Sequence, residues 1–319
     1  MNKWAHLAGL GFSIIFGFSF MFSKILMENI TPMGVIAYRF LVAFIVFETL
    51  RLTKVVKIKI KLNNLLPILL VALFQPVMYF VFETYGLSKT TSAEAGLMIA
   101  LIPIFVTILG SIILKEKPRV IQVLFILVSF IGVIIIQISK PDLNFQADIL
   151  GFILLLMAVI SAALYNIASR SASRISRPLE TTYFMMLVGM ISFNFIYIIQ
   201  LSFKQELYRY FNNLLQVKII FPILYLGILA SIVAFFLVNY TLSKLPVHVS
   251  SIYSNIATIV SVLAGYFFLQ EDLGIYHLVG GALIIIGIYG TARVNYLTKR
   301  KRLKDDKTHK PLQNNSTKL

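Results

Sequence analysis

The feature that most constrains this chain is a succession of ten apolar stretches, each long enough to cross the ~30 Å hydrocarbon core of a bilayer as a helix. They run roughly from His6 to Met27, Met33 to Leu50, Leu65 to Tyr85, Ser92 to Leu114 and Val120 to Ile138. Five more follow, from Ile149 to Ala168, Thr181 to Leu201, Ile219 to Tyr240, Val247 to Leu269 and Tyr276 to Tyr296. A segment inside hydrocarbon must satisfy its own backbone hydrogen bonds, so the pattern predicts an all-α integral membrane protein with ten transmembrane helices. Composition agrees: 58% of residues are apolar and 13% charged, against about 45–50% and about 25% in soluble domains. That balance excludes both a soluble fold and a disordered chain. The first stretch follows Lys3 as a signal peptide would, yet it lacks a small-residue cleavage site and reads as a retained helix.

Charge in the connectors sets the orientation. With the N-terminus in the cytoplasm, 22 of the 29 Lys and Arg side chains fall on the cytoplasmic side, six fall outside, and Arg39 lies within the second span. Both termini are therefore expected in the cytoplasm. The net charge of +16 reports topology, and the cluster Lys299-Arg300-Lys301-Arg302 reads as an anchor behind the last span rather than a nucleic-acid site. The absence of cysteine excludes disulfides and thiolate metal sites.

The chain also matches itself. Residues 67–136 align without a gap on 222–291 at an offset of 155, pairing Pro67 with Pro222, Tyr85 with Tyr240, Gly110 with Gly265, Glu116 with Glu271 and Gly132 with Gly287. Upstream the offset is 146, pairing Ser23 with Ser169 and Pro32 with Pro178. Each half then holds five spans, and an odd number forces the second half to enter the membrane inverted. Loop charge agrees: Lys115 to Arg119 nets +2, whereas its counterpart Gln270 to Gly274 nets −2. The expected organisation is two inverted five-helix repeats, residues 1–140 and 141–296, followed by a basic cytoplasmic tail, 297–319, expected to be disordered. Inverted repeats with a cavity between them are the architecture of alternating-access carriers.

Several of these stretches carry a family likeness. Phe12 to Lys24, Ile30-Thr31-Pro32 and Tyr38 to Leu41 resemble the opening of the EamA-type drug/metabolite transporter superfamily. Phe82 to Leu87, Thr91 to Ala95, Pro103 and Leu114 to Lys117 resemble its third-to-fifth-span signature, which Leu269-Gln270-Glu271 and Gly280 to Gly287 repeat. The resemblance implies a secondary carrier for small organic metabolites, such as an exporter of amino acids or related compounds, in the plasma membrane. The smallest relatives couple to protons through a carboxylate in the first span. None lies between His6 and Met27 here.

Ionisable groups inside spans are costly and are functional candidates by default. Lys24, Arg39, Glu83 and Glu94 all fall at similar depth on the outer side, where two ion pairs are geometrically possible. They read as an outer gate or a substrate ammonium/carboxylate site, with one carboxylate able to take a proton. For Lys24 and Glu94, snorkelling or static pairing is the simpler account. Polar faces recur at helical spacing: Ser251, Ser254, Asn255, Thr258, Ser261 and Gly265 in span nine, and Ser161, Tyr165, Asn166 and Ser169 in span six. Such faces line a wet cavity or pack helices closely, and close packing is expected for Ser92, Gly96, Ala100 and Thr107 in span four. Tyr79, Tyr165 and Tyr253 could wall a pocket, with Asn166 and Asn255 as polar contacts, and Pro76 and Pro103 could act as hinges.

Other classes fit poorly. The four histidines, His6, His248, His277 and His309, show no metal-ligand spacing, so neither an enzyme nor a metal or other cofactor is expected. A channel or pore for small solutes is the alternative, but no selectivity element is visible. The expected partners are a small-molecule substrate and the lipid bilayer, with protons a candidate coupling ion, no nucleic acid, and a monomeric or homodimeric assembly.

Overall fold

A computed structural model describes residues 3–58, 66–113, 120–138, 145–214, 216–287, 289, 290 and 293. Among these residues all regular structure is helical. The helices are α1 (Lys3–Met27), α2 (Pro32–Leu52), α3 (Leu66–Leu87), α4 (Ser92–Ile99), α5 (Ile102–Ile113), α6 (Val120–Ile138), α7 (Phe145–Ala172) and α8 (Pro178–Phe203). They continue as α9 (Tyr208–Leu214), α10 (Val217–Lys244), α11 (Ser254–Leu269) and α12 (Ile275–Gly287). Seven segments are long and apolar enough to cross a membrane: α1, α2, α3, the α4–α5 pair, α7, α8 and α10. Expected spans five, nine and ten fall on shorter apolar helices, Val123–Ile136 within α6, α11 and α12. The connector Lys115 to Arg119 and the tail 297–319 lie outside the described residues.

Helix boundaries follow local chemistry. Thr31 caps α2 by accepting the Gly34 N–H at 3.2 Å, and Pro32 occupies the first helical position, where its missing N–H costs nothing. Pro178 begins α8 in the same way, with Glu180 accepting the Arg177 N–H at 3.0 Å. Leu7, Leu10 and Ile14 of α1 and Ile191, Phe195 and Ile198 of α8 are exposed, an apolar outer surface that belongs in lipid rather than water.

Two helices are broken internally. In α3 the segment Leu73–Met78 is π-helical around Pro76, and Gln75 leaves helical geometry altogether at φ −151, ψ 111. In α10 the segment Tyr225–Val233 is π-helical without a proline at the break. Shifting the first segment by 155 residues puts it on 228–233, inside the second.

The crossing of α6 and α12 has the same correspondence. A Cβ on Gly132 would meet the Gly280 carbonyl oxygen at 2.5 Å, and a Cβ on Gly287 would meet the Phe125 carbonyl oxygen. These two contacts exchange under the 155-residue shift. The residue pair Ser129 and Ile284, joined by a bond from the Ser129 hydroxyl to the Ile284 carbonyl at 3.1 Å, maps onto itself as a pair. Reciprocal pairing of this kind is the mark of an isologous two-fold contact.

Candidate functional site

A cavity lies within the bundle, walled by α1, α2, α3, α7, α10 and the start of α11 together with the α4–α5 junction and the residues that lead into α11. Its surface is largely aromatic, with Phe12, Phe16 and Phe20 from α1, Tyr79 and Phe80 from α3, Tyr165 from α7 and Phe235 from α10. One cation and one carboxylate face it.

Arg39 is the cation, and it is 2% exposed. Its Nε donates to Ser231 Oγ at 2.7 Å, and its Nη2 donates to the Ala230 carbonyl at 3.2 Å. Its guanidinium carbon sits 4.3 Å from the centroid of the Phe80 ring. Both acceptors lie within the π segment of α10, Tyr225–Val233. Ser231 donates its own proton to the Leu226 carbonyl at 2.8 Å and keeps a lone pair for Arg39. Gly227 lets the two helices meet: a Cβ there would lie 2.7 Å from Val42 Cγ1 and 3.2 Å from the Arg39 carbonyl.

Glu83 is the carboxylate. It is 3% exposed and accepts a hydrogen bond from Thr84 Oγ1 at 2.8 Å. Among the described residues no carboxylate oxygen lies within 4.0 Å of the Arg39 guanidinium, so the two opposite charges share the cavity without forming an ion pair. Burying two charges without direct contact between them is expensive, which makes this arrangement informative.

The rest of the polar wall is uncharged. Tyr165 donates to Asn239 Oδ1 at 2.9 Å, and Ser169 donates to the same oxygen at 2.7 Å. Asn239 in turn donates to Thr182 Oγ1 at 3.0 Å, so one amide ties α7, α8 and α10 behind the cavity. Asn166 donates to the Ala162 carbonyl at 2.7 Å while lining the cavity. Ser250, 1% exposed, also lines it, and its hydroxyl has no hydrogen-bond partner among the described residues.

Seven of the residues singled out by sequence thus converge: Arg39, Tyr79, Glu83, Tyr165, Asn166, Ser251 and Ser254. The others lie elsewhere. Lys24 is half-buried in the last turn of α1. Glu94 closes a capping box with Thr91, accepting its N–H at 3.1 Å, and sits 3.9 Å from His277 Nε2. The Tyr253 hydroxyl meets His6 Nδ1 at 2.5 Å, and its carbonyl accepts from Ser13 at 2.6 Å. Asn255 has a buried Oδ1 without a hydrogen-bond partner among the described residues and does not line the cavity. Pro76 lies in the α3 break, and Pro103 is the second residue of α5, just past the break that separates it from α4. The polar stripe of span nine divides by depth. Ser251 and Ser254 line the cavity, whereas Thr258 donates to the Gly96 carbonyl at 2.7 Å and Ser261 to the Ser92 carbonyl at 2.8 Å. Ser92 and Gly96 of span four accordingly pack against α11. Among the described residues no cluster of three or more metal-ligating side chains occurs.

Sequence reasoning missed Gln75, Phe80, Ser231, Phe235 and Asn239. A polar residue at 231 or 239 in an apolar run was the available signal, but nothing in the sequence marked the π segment in which Ser231 meets Arg39.

The model of the EamA-like transporter family matches residues 3–138 and again 149–293. The chain belongs to that family. An uncharacterized transporter of Bacillus subtilis, YcxC, is 35% identical over 298 residues, which is 93% of this chain and 95% of the relative. An uncharacterized transporter of Archaeoglobus fulgidus is 30% identical over 203 residues, covering 64% of this chain and 68% of the relative. A solved crystal structure shares the fold with a TM-score of 0.65 at 18% identity, covering 90% of this chain and 97% of that one. As an EamA-like family member with seven long apolar helices, the protein is a multi-pass membrane transporter.

Proposed function

We propose that this transporter carries small zwitterionic metabolites, amino acids or close relatives, by alternating access between two inverted repeats. The observation that carries the reading is the central cavity, where Arg39 and Glu83 are buried together without pairing. A substrate carboxylate would take the free face of Arg39, a substrate ammonium would take Glu83, and the aromatic wall would enclose the apolar remainder. Bound substrate thereby bridges two buried charges that do not touch each other.

The repeat organisation has two supports. The family model matches once per half. The cavity wall is also built from positions related by the sequence offsets, such as Phe20 and Asn166, Ser19 and Tyr165, Phe80 and Phe235, and Glu83 and Val238. We read the chain as ten spans with both termini cytoplasmic, residues 1–140 and 141–296 as the repeats, and 297–319 as a tail. Residence in the plasma membrane and efflux as the physiological direction belong to the same reading.

Counterflow in liposomes tests it. Internal unlabelled amino acid should drive transient uphill uptake of the labelled compound, because a carrier exchanges its two sides and a pore does not. If amino acids and their amine or acid derivatives all fail while ions conduct, the channel reading replaces this one.

A further inference from the structure

Glu271 belongs to a sequence signature that the cavity leaves unexplained, since it lies in the α11–α12 turn and does not line the cavity. Its carboxylate accepts two backbone N–H groups from the start of α4, Ser92 at 2.7 Å and Ala93 at 3.0 Å. These are the first two helical residues after the Thr91 cap, donors that have no partner within their own helix. Thr91 and Glu94 satisfy the neighbouring donors locally, so Glu271 completes the helix terminus from the other half of the chain. Its approach is built in detail. Gln270 adopts the left-handed conformation at φ 54, ψ 35, and the Gly265 carbonyl accepts the Glu271 N–H at 3.1 Å. A Cβ on Gly265 would collide with Glu271 Oε2, so only glycine leaves room for the carboxylate.

We propose that Glu271 is the latch of the outer gate, a positioning residue that holds α4 of the first half against α11 of the second and releases it when the cavity opens outward. The proposal rests on the alternating-access reading. The terminus is buried while the contact holds, Ser92 at 0% and Ala93 at 1% exposure, and a charged acceptor there suits a reversible contact: the carboxylate and both N–H groups are hydrated on separation, so parting does not leave them unpaired. Just below it the interface holds small residues and the Thr258 and Ser261 bonds to the Gly96 and Ser92 carbonyls, with Gly96 so close to Ser261 that a Cβ would lie 2.7 Å from its side chain. Such contacts part without leaving side chains entangled.

The chain has no cysteine, so a single reporter thiol is unambiguous. Ser254→Cys reports on the cavity and Lys204→Cys on the expected outer loop, each probed with a membrane-impermeant maleimide applied to one side of the membrane. Glu271→Ala should raise labelling of the cavity thiol from the Lys204 side about tenfold, and Glu271→Gln less. Ser92→Pro removes one of the two donors at a position where proline is tolerated, and should raise it as well. Combining Glu271→Ala with Ser92→Pro should add little to Glu271→Ala alone, because both break one contact. Unchanged labelling in monodisperse Glu271→Ala and Ser92→Pro protein overturns the latch, as does full additivity. If Lys204→Cys labels from the cytoplasmic side, the orientation fails instead, and the same ratios still decide the latch.

Discussion

Helices α3 and α10 offer the clearest comparison within this molecule. Both are interrupted by a π segment at corresponding positions, and both send a phenylalanine, Phe80 or Phe235, into the cavity. Their chemistry then diverges. On α3 the positions before and after Phe80 carry Tyr79 and Glu83, and the equivalents on α10 are Ala234 and Val238. Helix α10 contributes backbone and hydroxyl acceptors instead, the Ala230 carbonyl and Ser231, which hold Arg39. Helix α3 therefore brings the negative charge to the cavity, and the broken segment of α10 holds the acceptors of the positive one. A near-symmetric frame with asymmetric side chains can distinguish the two ends of a dipolar ligand, which a fully symmetric cavity could not.

Changes that erase the asymmetry should cost most. Arg39→Gln should cut counterflow at least about thirtyfold, from ~2 kcal/mol or more for losing one partner of a desolvated charge contact. Expression and monodispersity should be unchanged, and normal flux in this variant would remove Arg39 from the site. Glu83→Gln should cost about tenfold and flatten whatever pH dependence the flux shows, because the titrating group at the ammonium end is gone. Retention of a steep pH profile would end its candidacy as a proton site.

The paired phenylalanines test the comparison directly. Phe80→Leu should lower flux by about threefold to thirtyfold more than Phe235→Leu, because only Phe80 lies under the Arg39 guanidinium. Equal losses would mean that the rings serve only as walls. Asn239→Ala should leave Tyr165, Ser169 and Thr182 without their shared partner and destabilise the protein by ~1–3 kcal/mol, read as a lower thermal midpoint in detergent. The smallest effect is expected at Glu94. Glu94→Gln should cost ~1 kcal/mol or less in stability and leave flux intact, since this carboxylate caps its own helix away from the cavity. A large transport defect there would extend the site outward.

How far the sequence reached depends on the kind of signal. Arg39 and Glu83 were legible because charge inside an apolar run has few innocent explanations, and both reached the cavity. Glu94 carried the same signal and proved to be a cap, because Thr91 three residues earlier completes a local motif. The stripe Ser251 to Gly265 was legible as a face but not as two faces, since periodicity records direction around a helix and not which neighbour stands at each depth. Tyr253 was read as a wall residue, and it spends its hydroxyl on His6.

By itself the sequence determined the membrane as solvent, the helical content, the family and a short list of buried charges. Each of these follows from local composition or from hydrogen-bond satisfaction within one segment. The tertiary structure alone decided that α10 breaks where Arg39 finds its acceptors, and that Asn239 serves three helices. It also decided that Glu271 closes a helix terminus 179 residues away. Those are relations between segments remote in the chain, set by which backbone acceptors a neighbouring helix leaves open and how closely two backbones can approach.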